Sequence, residues 1–487
     1  MTRRLPCIVY ATLLLQASLA AAQGILSICQ QLSNAISRDS DVFYNPEPEY
    51  LADIEHYSTS STTESACSVE PGTAEDVGTI LSIVGSTSTP FGVKGGGHTN
   101  NPNFSSTTGV QISMSRLNAI EYDASTGTVA IGAGNVWDDV YAALQPHGVN
   151  VVGGRVTGIG VAGFTLGGGY SWLTNQYGLA LDTVRAFELV LPNGTVTNVT
   201  ESTYPDLFWG LKGGYNNYGI VTTFTLQTYP QSQVWGGQMI VLGQFVDQVN
   251  RATANFAANV TDPKAQIITT YDYEQGTLLA TLMLFYDAPE QPADIFDEFM
   301  AIPALATNIS TRSFLSLVQV EPTATSANIR GYSNTVPFQE ITLRLLETIV
   351  AQIEYWGTSL ANSSASLLSY DVEPFLPSIL THGGRSAYPW TRDQRFLPFN
   401  MDFFWTDAQY DGAFYEAIVQ SSRNLTDTAI QEGQFGVVGA PLYPNYLLFG
   451  TPVASIYGES LAEMIELKVE YDPRNVMGLT GGWKVPG

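Results

Sequence analysis

Phe91-Gly92-Val93-Lys94-Gly95-Gly96-Gly97-His98-Thr99 decides the reading of this chain. An apolar, strand-like start runs into three consecutive glycines, and a histidine closes them. Without Cβ atoms in the way, successive backbone N–H groups can turn toward one point and form a concave nest for an anion. Lys94 adds a positive charge at the rim. A histidine fixed at the lip of a phosphate cradle is poised against whatever that phosphate carries.

Some 60 residues downstream lies a second glycine cluster, Gly153-Gly154-Arg155-Val156-Thr157-Gly158-Ile159-Gly160-Val161-Ala162-Gly163, followed by Gly167-Gly168-Gly169. Gly158, Gly160 and Gly163 satisfy G-x-G-x-x-G, with Asp182 at the spacing of a dinucleotide fingerprint. The nicotinamide reading fails, because that motif must open a long helix and Gly167–Gly169 would break one at once. Two glycine clusters, each after a strand, point to one extended cofactor gripped from two sides.

Around these clusters the chain reads as alternating strands and helices. Thr73 and Asp76 open a helix whose buried face is Val77, Ile80, Leu81 and Val84. Asn135 is expected to cap a helix through Val136, Val140 and Leu144. A hairpin turns at Asn193-Gly194. Beyond Pro230 the glycine clusters stop. Helices near 339–356 and 408–421 then alternate with strands at 267–273, 278–286 and 398–405, as in a sheet backed by helices.

The 487 residues suffice for two or more domains with real cores. A formal charge of −25 repels nucleic acid and anionic lipid. Met1–Ala22 reads as a secretory leader, basic at Arg3 and Arg4, apolar through Ile8–Leu15, with a small-residue cleavage site before Gln23. Of three cysteines, Cys7 leaves with the leader, and Cys29 and Cys67 are expected to form one disulfide. So few cysteines argue against zinc or thiol chemistry, and no metal is expected. Glycosylation sequons begin at Asn103, Asn193, Asn198, Asn259, Asn308, Asn362 and Asn424. The expected product is an extracellular, monomeric glycoprotein with no nucleic-acid or membrane partner.

The order V-K-G-G-G-H, I-S-M-S-R-L-N, G-A-G-N-V-W-D-D-V-Y and P-D-L-F-W-G-L-K-G-G-Y-N-N-Y-G-I-V-T resembles the berberine bridge enzyme-like FAD-linked oxidases of the vanillyl-alcohol oxidase superfamily. Tyr443-Pro444-Asn445-Tyr446 and Tyr471-Asp472-Pro473-Arg474-Asn475-Val476 agree with that group's Y-x-N-Y and Y-D-P-x-N-V. The resemblance implies an α+β, two-domain PCMH-type FAD-binding fold. The FAD-binding domain would span 23–235, a substrate domain of antiparallel sheet backed by helices 236–442, and a return to the first domain 443–487. It implies FAD held covalently through His98. The cofactor set would be His98 with Lys94, Gly95, Gly96, Gly97, Thr99, Gly154, Val156, Thr157, Gly158, Gly160, Val161, Gly163, Gly169, Ile220 and Asn475.

Many relatives attach FAD a second time through a cysteine in C-P-T-V-G. Here Val156 holds that position, so a single link follows. Ile159 stands where that run carries valine in oxygen-reactive members and leucine in some oxygen-blocked ones, which leaves oxidase and dehydrogenase both open. Tyr446 aligns with the general base of several relatives. As a base it needs a nearby positive charge or hydrogen bonds that favour tyrosinate, because an ordinary phenol ionises near pH ~10. Asp402 and Tyr443 are the next catalytic candidates. Alternation places 400, 402 and 404 on one face of their strand, though not which face meets the substrate. The aromatics Tyr355, Trp356, Tyr388, Trp390, Phe404 and Trp405 are candidates for a substrate pocket.

The implied function is a secreted oxidase that takes a hydride from an alcohol or similar C–H donor, an oligosaccharide or a secondary metabolite. O2 would reoxidise the flavin and give H2O2. The alternatives are a dehydrogenase, an oxidative cyclase, or a non-catalytic binding protein on the same fold.

Overall fold

The computed structural model describes residues 24–320, 327–389, 391–392 and 394–487, so the expected leader and Trp390 lie outside the described residues. Two sheets build the first unit. The smaller runs in the order Asp41–Phe43, Cys67–Glu70, Val110–Ser113, Phe91–Lys94. Its last three strands are parallel, with helix Ala74–Thr87 crossing from Cys67–Glu70 to Phe91–Lys94. Thr73 caps that helix by accepting the Asp76 N–H at 3.1 Å, and Val77, Ile80, Leu81 and Val84 are fully buried. The Asp76 carboxylate departs from a capping box: it accepts from Ser37 and Ser40. Cys29 and Cys67 are disulfide-bonded and tie the N-terminal helix, 24–35, to this sheet.

The second sheet is antiparallel, in the order Ile120–Asp123, Thr128–Gly132, Ile220–Gln227, Val184–Val190, Val196–Thr200. Helix Trp137–Leu144, which follows its second strand, has Val136 at its N-cap. Asn135 does not cap it: its amide turns back to the Gly132 carbonyl at 2.9 Å.

The other unit is one seven-stranded antiparallel sheet, ordered Ala306–Arg312, Val234–Leu242, Thr277–Tyr286, Ala265–Glu274, Ala365–Val372, Phe399–Trp405, Arg330–Thr335. The expected boundary at 235/236 cuts into the strand Val234–Leu242, so the unit begins two residues earlier. Helices Val246–Asn259, Leu343–Ser359 and Asp411–Gln431 cover one face. Tyr271, Tyr370, Phe399, Met401 and Phe403 pack into the core on that side. Tyr271 reaches Asn250 at 2.5 Å, and Tyr370 reaches Ser421 at 2.7 Å. The period of two then turns Thr270, Asp272, Ser369, Asp371, Asn400, Asp402 and Phe404 to the opposite face, onto the cavity.

The C-terminal segment goes back to the first unit. Helix Ser460–Tyr471 packs beside Pro205–Leu211, and the Asn217 amide donates to the Trp483 carbonyl at 2.9 Å. Among the described residues, no helix is long and apolar enough to cross a membrane.

Candidate active site

A cavity of about 490 Å³ lies where the glycine clusters, the polar face of the seven-stranded sheet and the segment Tyr443–Leu447 meet. The two glycine clusters touch. A Cβ on Gly96 would lie 2.5 Å from Cα of Gly160, a contact only two glycines can make. Gly97 takes φ +67°, and this left-handed step turns the chain into His98.

His98 lies on the cavity wall, its ring stacked on Tyr57 at 4.1 Å. Its Nε2 is buried and has no hydrogen-bond partner. Burial pushes its pKa down to about 4, so the imidazole is neutral and nucleophilic at physiological pH. An orphaned imidazole nitrogen beside a glycine cradle is what a covalently held cofactor requires. Cys29 and Cys67 are consumed in their disulfide, so the described residues offer no thiol for a second link.

Gly95, Gly96, Gly97, Thr99, Val156, Gly160, Gly163 and Ile220 join His98 on the cavity wall, as do Ile159, Tyr443, Tyr446 and Asp402. Lys94 does not. Its ammonium donates to the Ala52 carbonyl at 2.6 Å, close to Asp53, and so serves the packing behind the nest. Asn475 is also off the wall, at φ +51° before the turn Val476–Leu479. The remaining expected residues shape the second cluster without lining the cavity. Thr157 and the Gly158 N–H bind the Asp138 carboxylate, Gly154 lies against Trp137, the Val161 N–H reaches the Asn135 carbonyl, and the Gly169 N–H reaches the Tyr443 hydroxyl. Helix Val161–Leu166 stops at Gly167 after six residues. Asp182 pairs with Arg392 and caps the Leu179 N–H.

Half-buried Tyr446 belongs to a closed ring with two buried groups, Arg155 and Glu373. Arg155 donates to the Tyr446 hydroxyl and to the Glu373 carboxylate, each at 2.6 Å, and Tyr446 donates to the other Glu373 oxygen at 2.9 Å. The Arg155 and Glu373 side chains are 9% and 2% exposed. The positive charge that a base at Tyr446 needs is therefore present, but so is a competing anion. Burial dominates and holds the phenol well above its usual range, with Arg155 acting downward and Glu373 upward. Tyr446 is thus an un-ionised donor to Glu373 and not a resting tyrosinate. Tyr443 accepts from Gly169 and from the Asn445 amide at 3.0 Å, and burial raises its pKa too.

Asp402 faces the cavity, bound by Ser333 and by the Asn400 amide at 2.5 Å. Of the pocket aromatics, Phe404 lines the cavity. Tyr388 is buried behind Gly168, Trp405 stacks on Phe414 in the core, and Tyr355 is exposed. Asn103, Asn193, Asn198, Asn259, Asn308 and Asn362 are exposed, whereas Asn424 is half-buried with its amide on Gln352.

Residues 65–200 match the FAD binding domain model. An FAD-dependent monooxygenase of Aspergillus calidoustus, drtC, is 31% identical over 485 residues, covering 95% of this chain and 91% of that protein. An uncharacterized FAD-linked oxidoreductase of Arthroderma benhamiae is 41% identical over 52% of this chain and 51% of its own. The fold is shared with glucooligosaccharide oxidase from Acremonium strictum, an enzyme with a 6-S-cysteinyl, 8α-N1-histidyl FAD (TM-score 0.76, 17% identity, 95% of this chain and 100% of that one). It is also shared with 6-hydroxy-D-nicotine oxidase from Arthrobacter nicotinovorans (0.75, 19%, 92% and 98%).

Proposed function

This chain belongs to the berberine bridge enzyme-like FAD-linked oxidoreductases of the vanillyl-alcohol oxidase superfamily, and on that premise we propose an oxidase that dehydrogenates an alcohol or similar C–H donor and reduces O2 to H2O2. FAD, when bound, supplies the two-electron acceptor. His98 would hold it by a single covalent link, with Gly95–Thr99 and Val156–Gly163 around it.

The observation that carries the proposal is the Arg155–Tyr446–Glu373 ring on the wall of the cavity that also holds His98. Loss of a hydride from a carbinol carbon leaves a carbonyl only if the O–H proton departs as well. Tyr446 can accept that proton while it passes its own to Glu373, so no free tyrosinate is needed. Arg155 compensates the negative charge wherever it sits along this path. Both hydrogens of the donor, the hydride and the proton, end in H2O2.

Monooxygenation is the second reading, favoured by the name of the relative that spans 95% of the chain. Turnover under 18O2 separates the two. An oxidase gives one H2O2 per donor oxidised and a product free of label. Labelled product with substoichiometric peroxide would move the assignment to monooxygenation, and reoxidation in air no faster than that of free reduced flavin would move it to a dehydrogenase. Export is part of the proposal, supported by the leader, the exposed sequons and the disulfide. The mature protein should begin at or near Gln23 and carry N-glycans.

A further inference from the structure

The cavity floor carries more carboxyl groups than the proton relay uses. Asp272, Asp371 and Asp402 come from three adjacent strands, and the pairings Asp272–Ser369, Ser369–Asp402 and Asp371–Thr270 set them side by side on the cavity face. Their partners are all neutral. Thr281 donates to Asp272 at 2.9 Å, Thr270 to Asp371 at 2.8 Å, Asn400 to both Asp371 and Asp402, and Ser333 to Asp402. None of the ion pairs among the described residues includes any of the three. Apart from the neutral imidazole of His98, Arg155 is the one basic side chain on the wall among the described residues, and Glu373 and Tyr446 already occupy it.

A second observation points to a ligand. Asn400 is 8% exposed and lines the cavity, yet its Oδ1 has no hydrogen-bond partner. An unmet acceptor among three acceptor-rich carboxylates calls for a donor that also brings positive charge. A metal ion does not suit the place, since among the described residues no three His, Cys, Asp or Glu side chains are arranged to hold one.

We propose that this floor receives the protonated amino group of an amine-bearing substrate, held by Asp272, Asp371 and Asp402. The proposal rests on the reading of this cavity as the substrate site. The amine is an anchor, and the oxidised carbon lies elsewhere on the molecule. Burial pushes the Asp272 carboxyl up to about 7; burial also raises Asp371, helped by Glu373, and Asp402, helped by Asp371 and Glu373. With Glu373, Glu274, Arg155, His98 and the wall tyrosines Tyr57, Tyr170, Tyr215, Tyr443 and Tyr446 as the other charged or titratable groups in reach, an arriving cation displaces protons from the three aspartates. A neutral polyol would displace none.

Calorimetry on the flavin-loaded protein with benzylamine and its neutral isostere benzyl alcohol tests this without requiring turnover, so a wrong oxidase assignment would not disturb the readout. Benzylammonium should bind about tenfold or more tighter at about pH 8 than at about pH 5, with protons released to the buffer. Asp402→Asn and, independently, Asp272→Asn should each weaken it about tenfold and leave the visible flavin spectrum unchanged. Benzyl alcohol or cellobiose binding as tightly as benzylammonium, binding without proton release, or no benzylammonium binding at ~10 mM would each overturn the proposal.

Discussion

Tyr446 changes meaning once its neighbours are known. The motif singles it out, and an isolated phenol would have to ionise before acting as a base. In the ring with Arg155 and Glu373 it donates to a carboxylate instead. Tyr446→Phe should lower the rate of anaerobic flavin reduction by about 10²–10⁴-fold, and Glu373→Gln by a similar factor, with flavin content retained in both. Stopped-flow bleaching at 450 nm, roughly the visible flavin band, reads this step apart from oxygen chemistry. A Glu373→Gln protein reduced at the wild-type rate would return the base to Tyr446 alone. Arg155 and Glu373 are hidden in the sequence for different reasons. Arg155 sits inside a glycine-rich run whose signal is backbone shape, although a lone arginine in a stretch this apolar has to be paired. Glu373 lies 73 residues from Tyr446, just past a strand that periodicity does not mark, so only tertiary pairing brings it in.

At the scale of elements, the glycine clusters are legible and their contact is not. Each cluster reads as a nest from residue type alone, whereas the Gly96–Gly160 approach depends on how two strands and a six-residue helix are aimed. Gly96→Ala should therefore drive the clusters apart and yield folded protein with most of its flavin lost, read as the ratio of visible to protein absorbance. Full flavin content in that variant would mean that the contact does not shape the cradle. The strand Phe399–Trp405 gives a similar lesson. Alternation fixes which residues share a face, and the covering helices decide that 400, 402 and 404 meet the cavity. The strands Ala306–Arg312 and Arg330–Thr335 at the sheet's edges carry no clean alternation.

For the whole molecule, two sets of titratable groups pull stability in opposite directions as pH changes. Asp272, Asp371 and Asp402 have folded-state pKa values raised above the ordinary carboxylate range, so the folded state binds more protons and their contribution is lost as pH rises from about 4 to about 7. His56 and His98, both pushed down to about 4 by burial, act oppositely, and their contribution is lost as pH falls from about 6.5 to about 4. Asp272→Asn should thus stabilise the protein at about pH 8 by roughly 1–3 kcal/mol and change little near pH 4, as read by denaturant unfolding. Equal stabilisation at both pH values would show that Asp272 is not titrating in the folded protein. The two-unit organisation and the C-terminal return are legible because the glycine texture ends at Pro230 and the terminal motifs resume near Tyr443. Of the acidic floor only Asp402 is singled out by the sequence; Asp272 and Asp371 come from other strands and each reads alone as an ordinary polar position.

The cofactor assignment for this cavity rests on His98 as the single covalent anchor of FAD. The most direct measurement is acid precipitation of the purified protein followed by mass spectrometry of its proteolytic peptides. The yellow colour should stay with the pellet, the flavin mass should map to His98 alone, and His98→Ala should release all flavin into the supernatant. Flavin mapped to any other residue, or retained covalently by His98→Ala, would contradict that assignment.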